Sequence, residues 1–121
     1  MNTFAIALLS VALSVAAQFL LKAGMSDPGV RDAMAPPYSL VHLASVMTNR
    51  YVLGGFVLYG LGAVIWLGVL SKWDVSKAYP LVGLGFAFTV VVGFMLGEQV
   101  SPLRAGGVAL ICAGVFLVAQ S

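Results

Sequence analysis

Ser10, Ser14, Gln18 and Lys22 recur every fourth residue in an otherwise apolar stretch. With 3.6 residues per turn, each step of four advances about 40° around a helix, so the four side chains form one slanted polar stripe. Polar groups at membrane depth need partners and usually face protein or a water-filled cavity. The chemistry on offer is recognition rather than bond making: hydroxyls and an amide to hydrogen-bond a polar solute, and an ammonium to meet an anion. A plainer reading stands beside it. The serines can bond back to the carbonyls four residues earlier, and Lys22, within a turn of the end of its segment, can snorkel to the headgroups.

Gly55, Tyr59, Gly62 and Trp66 make a second set, alternating small and aromatic on one helical face. The rings suit a cleft for a sugar or a lipid tail, and the glycines suit close helix packing. A third apolar segment opens with Ala78-Tyr79-Pro80. Tyr79 either offers a hydroxyl beside a helix start that favours anions or belongs to the interfacial aromatic belt. Tyr79, Gly83, Phe86, Val90, Gly93 and Gly97 are spaced to share one heptad-like face. Glu98, the sole glutamate, stands three residues before Ser101 and six before Arg104. It can pair with Arg104 or favour the positive start of the next helix, or it can act as a coupling carboxylate.

Other chemistry is missing. There is no HExxH pair, no Cys/His ligand cluster and no nucleotide-binding glycine loop, so no enzyme, metal site or cofactor is expected. Asp27, Asp32 and Asp74 fall in loops, and the absence of a carboxylate near the centre of any span disfavours simple cation–proton exchange. Cys112 stands alone in an apolar run and reads as a packing residue. His42 reads as a solvated interface residue. A net charge of +2 is too small to point to nucleic acid.

The elements that must position these groups follow from composition. Of 121 residues, 61% are hydrophobic and 8% charged, against roughly 25% charged in an ordinary soluble domain. A span needs about 20 apolar residues, and four are expected, at 3–25, 51–71, 78–97 and 102–119, forming one all-α integral membrane domain over residues 1–121. Ser101 and Pro102 read as the N-cap and first residue of the last helix. The connection 26–49 holds a turn signal at Asp27-Pro28-Gly29 and a helix stop at Pro36-Pro37. Leu40, Leu43, Ala44 and Met47 then recur at helical spacing, as in a short interfacial helix. Met1-Asn2-Thr3 lacks the basic start of a cleaved signal. Lys22, Arg31, Arg50 and Arg104 lie toward one side and Lys72 and Lys77 toward the other, which leans toward termini outside the cytoplasm.

At Gln18-Phe19-Leu20-Leu21-Lys22-Ala23-Gly24-Met25, Ala78-Tyr79-Pro80-Leu81 and Gly97-Glu98-Gln99-Val100-Ser101-Pro102-Leu103-Arg104, with the run from Gly107 through Leu110 to Val115, the chain resembles the drug/metabolite transporter superfamily. It looks like a four-helix member of small multidrug resistance or EamA-like type. The drug exporters carry a membrane glutamate eight residues before the lysine matching Lys22; here that position is Ser14. The Gln-x-x-x-Lys pattern and Ala-Tyr-Pro are closer to the ArnE/ArnF-type flippase subunits for undecaprenyl-phosphate aminoarabinose. The resemblance implies a multi-pass protein of the bacterial inner membrane. It also implies a homodimer, or a heterodimer with a paralogous four-helix subunit.

The function expected is translocation of a lipid-linked sugar such as an undecaprenyl-phosphate glycolipid. The expected substrate contacts are Lys22, Gln18, Ser14, Tyr79, Tyr59, Trp66, Glu98 and Arg104. Gly107, Leu110 and Gly114 are expected to form a close dimer contact, leaving the first three helices to line the path amid membrane lipids. The alternatives are a small multidrug resistance-type exporter of small cationic or polar solutes and a non-transporting accessory subunit.

Overall fold

The computed structural model describes residues 2–121. Four segments are long and apolar enough to cross a membrane. Helix α1 is Thr3–Met25, α4 is Arg50–Leu70 and α7 is Pro102–Gln120. The third crossing, Val75–Met95, is composite. A short α5, Val75–Ala78, runs into a 3₁₀ turn at Tyr79–Val82 and then into α6, Gly83–Met95. Two short helices, α2 (Pro28–Ala33) and α3 (Leu40–Met47), fill the first connection.

Side-chain caps set most of the helix starts. Asn2 accepts from the Ala5 amide at 2.7 Å, Asn49 from the Tyr51 and Val52 amides at 2.9 and 3.1 Å, and Ser101 from the Arg104 amide at 3.1 Å. Each satisfies donors that the first turn leaves open. Asp27 does the same for α2, accepting from the Gly29 amide at 2.8 Å. The Asp27-Pro28-Gly29 run expected to be a turn is therefore a helix start, with aspartate as N-cap and proline in the first turn.

The third crossing ends earlier than position 97. Gly97 adopts φ +91°, and the Glu98 amide donates to the Gly93 carbonyl at 2.9 Å while the Gly97 amide donates to Phe94 at 3.1 Å. This paired arrangement closes a helix on a left-handed glycine. The expected single face from Tyr79 to Gly97 is also broken. A 3₁₀ turn winds at 3.0 rather than about 3.6 residues per turn, so positions before and after it lose a common helical register.

Helices α1 and α4 form the principal pair. They approach through glycines: a Cβ at Gly55 would sit 2.8 Å from Leu21 and 3.1 Å from the Ala17 carbonyl, and one at Gly62 would sit 3.3 Å from the Ser10 carbonyl. Close approach of backbones is how helices gain dispersion contact where lipid removes the hydrophobic drive. Gly83 seats the third crossing against Ile111 and Val115 of α7. Two small cores result. Ala7, Val69, Ala78, Leu81 and Val115 pack at the end bearing the termini. Val30, Val46 and Val52 pack at the other end and hold α2 and α3 over α1 and α4. Val115 is the sole buried residue of α7.

Candidate functional site

Between the two cores lies a half-open cavity of about 510 Å³ lined by α1, α4 and the third crossing. That size falls within the range of small-ligand pockets, about 300–1,000 Å³. Its polar lining is Ser10, Ser14 and Gln18 from α1, Tyr59 and Trp66 from α4, and Tyr79 and Thr89 from the third crossing. Five of the eight expected substrate contacts are thus brought together: Ser14, Gln18, Tyr59, Trp66 and Tyr79.

Helical geometry explains the convergence. Ser10, Ser14 and Gln18 climb α1 at intervals of four and keep one edge of the helix on the cavity. On α4 the alternating set divides its work. Gly55 and Gly62 are buried against α1, while Tyr59 and Trp66 line the cavity. Close packing and an aromatic wall therefore come from the same periodic pattern. The 3₁₀ turn carries Tyr79 and Val82 to the cavity, and α6 adds Gly85, Phe86 and Thr89.

The hydroxyls are partly committed. Ser10 is buried and donates to the Gly62 carbonyl across the helix pair at 2.7 Å. Ser14 donates to the Ser10 carbonyl at 3.1 Å, and Thr89 donates to the Gly85 carbonyl at 2.7 Å. A hydroxyl whose proton is spent on a carbonyl still presents acceptor lone pairs. Gln18, Trp66, Tyr59 and Tyr79, also in the lining, carry donor groups: an amide NH₂, an indole N–H and two phenols. The lining contains no carboxylate, ammonium, guanidinium or imidazole. Such a lining can hydrogen-bond and stack a neutral polar group.

The other three expected contacts lie outside this lining. Lys22 is exposed in the last turn of α1, roughly 6 Å beyond Gln18 along the axis at 1.5 Å per residue. Glu98 is exposed, and its carboxylate lies against Gly93, where a Cβ would meet Oε1 at 2.7 Å. Arg104 donates from Nη1 to the Gln99 carbonyl at 2.8 Å. Glu98 and Arg104 thus stabilise the link between the third crossing and α7, and no ion pair joins them among the described residues. The physical reason is the tight reversal at Gly97, which turns the Glu98 carboxylate back toward α6.

Gly107 and Gly114 have open space where a side chain would be, and Leu110 is 76% exposed. His42 is half-buried, with Nδ1 3.2 Å from the Pro37 carbonyl. Sequence reading missed Thr89 as a cavity residue. It is the sole polar residue between Pro80 and Met95, and the rule that flagged Gln18 applies equally to it.

Comparison with known proteins gives the chain its relatives. It is 32% identical over 118 residues to "Probable 4-amino-4-deoxy-L-arabinose-phosphoundecaprenol flippase subunit ArnF" of Proteus mirabilis, covering 94% of this chain and 89% of that one. The protein of the same name in Sodalis glossinidius is 33% identical over 119 residues, covering 93% of this chain and 86% of that one. The ArnE protein of Pseudomonas savastanoi pv. phaseolicola, whose name describes the corresponding subunit, is 47% identical over 58 residues. That match spans 47% of this chain and 51% of the relative. No family model and no solved structure matches the chain.

Proposed function

The chain belongs to the ArnE/ArnF family of flippase subunits, and on that premise we propose that it moves a polyprenyl-phosphate-linked sugar across the bacterial inner membrane. The observation that carries this reading is the uncharged, hydroxyl- and ring-lined cavity at the middle of an otherwise apolar bundle. A sugar needs many hydrogen bonds and a flat apolar face against its ring. Gln18, Ser14, Tyr79 and Thr89 supply the first, and Trp66 with Tyr59 supplies the second. Without such partners, moving a sugar through hydrocarbon costs several kcal/mol per unsatisfied polar group.

The phosphate is held at a different place from the sugar it carries. Lys22 meets it at the end of α1, where an ammonium at the interface remains hydrated. The charge therefore stays near a membrane surface while the sugar enters the cavity. A phosphate that crosses fully requires further cationic partners, which a second four-helix subunit supplies. The subunit contact runs along Gly107, Leu110 and Gly114 of α7, making a heterodimer with a paralogous subunit. A proton-coupled exporter of cations fits less well, because the carboxylates of this chain all lie outside the four crossings: Asp27 and Asp74 are N-caps, Asp32 lies within the short helix α2 rather than in a loop, and Glu98 follows the third crossing.

Native mass spectrometry of the protein extracted gently from its own membrane tests the reading. A dimer retaining a polyprenyl-phosphate sugar is the expected result. A dimer that carries only bulk phospholipid, and takes up no added polyprenyl-phosphate sugar, contradicts it.

A further inference from the structure

We propose that the apolar groove between α1 and α6 seats the prenyl chain of the substrate, as a tail site separate from the polar cavity and bordering it. The proposal rests on the flippase reading above and extends it from headgroup to tail. The groove has a volume of about 580 Å³ and no polar side chain in its lining. Ala12 and Ala16, one turn apart on α1, are exposed and leave a recess that Phe19, Phe88 and Val92 flank.

The relation of this groove to the cavity identifies its occupant. Gly85 brings α6 onto α1, since a Cβ there would lie 3.0 Å from Val11 and 3.3 Å from Val15. On one side of this seam Ser14, Gln18 and Thr89 line the cavity. On the other, Ala16, Phe19 and Phe88 line the groove. Val15 borders both spaces. With the sugar in the cavity and the phosphate at Lys22 beyond Gln18, the prenyl chain turns back along α1 past Leu20 and Phe19 into the groove, so that no polar group is buried in hydrocarbon. Binding at one half raises the effective concentration of the other, so a single two-part molecule outcompetes loose acyl chains. A second protein subunit has a better place elsewhere, on α7, where Gly106, Gly107 and Gly114 meet nothing within this chain.

The test measures the affinity of the full-length protein in lipid nanodiscs for two esters of phosphoaminoarabinose, one with geranyl and one with undecaprenyl. Ala16→Phe fills the recess, and Phe88→Ala removes one flank; both positions are exposed in this chain, so neither change disturbs a core. The unsubstituted protein is expected to prefer the undecaprenyl ester by about tenfold or more, from the added buried methylenes. Ala16→Phe is expected to abolish that preference, lowering affinity for the undecaprenyl ester by about tenfold or more, to the level of the geranyl ester. Phe88→Ala is expected to reduce the preference in the same direction. An Ala16→Phe protein that keeps the full chain-length preference, or that loses affinity for both esters equally, overturns the tail site. Equal binding of both esters by the unsubstituted protein overturns the tail site alone. Binding of neither overturns the flippase reading with it.

Discussion

Ser10 illustrates how one hydroxyl serves the bundle. It is 2% exposed and holds Gly62 of α4 at 2.7 Å, midway between Tyr59 and Trp66 in sequence. Its loss leaves the Gly62 carbonyl unpaired in an apolar setting. Ser10→Ala is expected to lower stability by about 0.6–1.5 kcal/mol, the scale of interhelix hydrogen bonds in membranes and of hydrogen bonds generally. Unfolding in mixed micelles measures it, and unchanged stability would show that the bond contributes nothing. Lys22 is tested by charge rather than packing, since it is exposed in the last turn of α1. Lys22→Gln should weaken binding of a polyprenyl phosphate about tenfold, and Lys22→Arg should restore most of it, because either cation pairs with phosphate. Equal affinity in Lys22→Gln would remove the lysine from the phosphate path. The stripe of Ser10, Ser14 and Gln18 was legible in the sequence because interval-of-four spacing survives an unbroken helix. The placement of Glu98 and Arg104 was not, because it depends on the left-handed turn at Gly97 that folds their link back on itself.

Among the elements, the α1–α4 pair is the most extensively packed. Its glycines are not equivalent. A side chain at Gly55 meets Leu21 and the Ala17 carbonyl, whereas Gly60 has open space. Gly55→Val should therefore cost about 1–3 kcal/mol through overpacking and separate Tyr59 from the α1 stripe. Gly60→Val should be nearly silent. Thermal unfolding of the two variants in one detergent decides it, and equal stability would contradict the packing described. The four crossings could be read from composition and length alone. The break in the third could not, because Pro80 at a helix start signals equally a simple first turn and the 3₁₀ segment observed. That break is what separates Tyr79 and Phe86, on the cavity, from Gly83, which packs on α7.

The whole molecule is half of something larger in the proposed account. Helix α7 buries one residue, and its small residues at Gly107 and Gly114 face open space. A Cβ at Gly114 meets no atom of its own chain, so in Gly114→Leu the fold should persist while the dimer fraction, read by crosslinking in native membranes, falls severalfold. An unchanged fraction would place the subunit contact on another helix. In the proposed function, the ring-lined cavity carries a sugar headgroup across the bilayer. The most direct test is flipping of undecaprenyl-phosphate aminoarabinose in proteoliposomes holding this chain with its partner subunit, compared with the same liposomes carrying Trp66→Ala. Flipping is expected to require this chain and to slow about tenfold with Trp66→Ala, the scale of one lost stacking contact, while subunit assembly is preserved. Flipping that proceeds equally well with Trp66→Ala, or with this chain omitted, would contradict the proposed function.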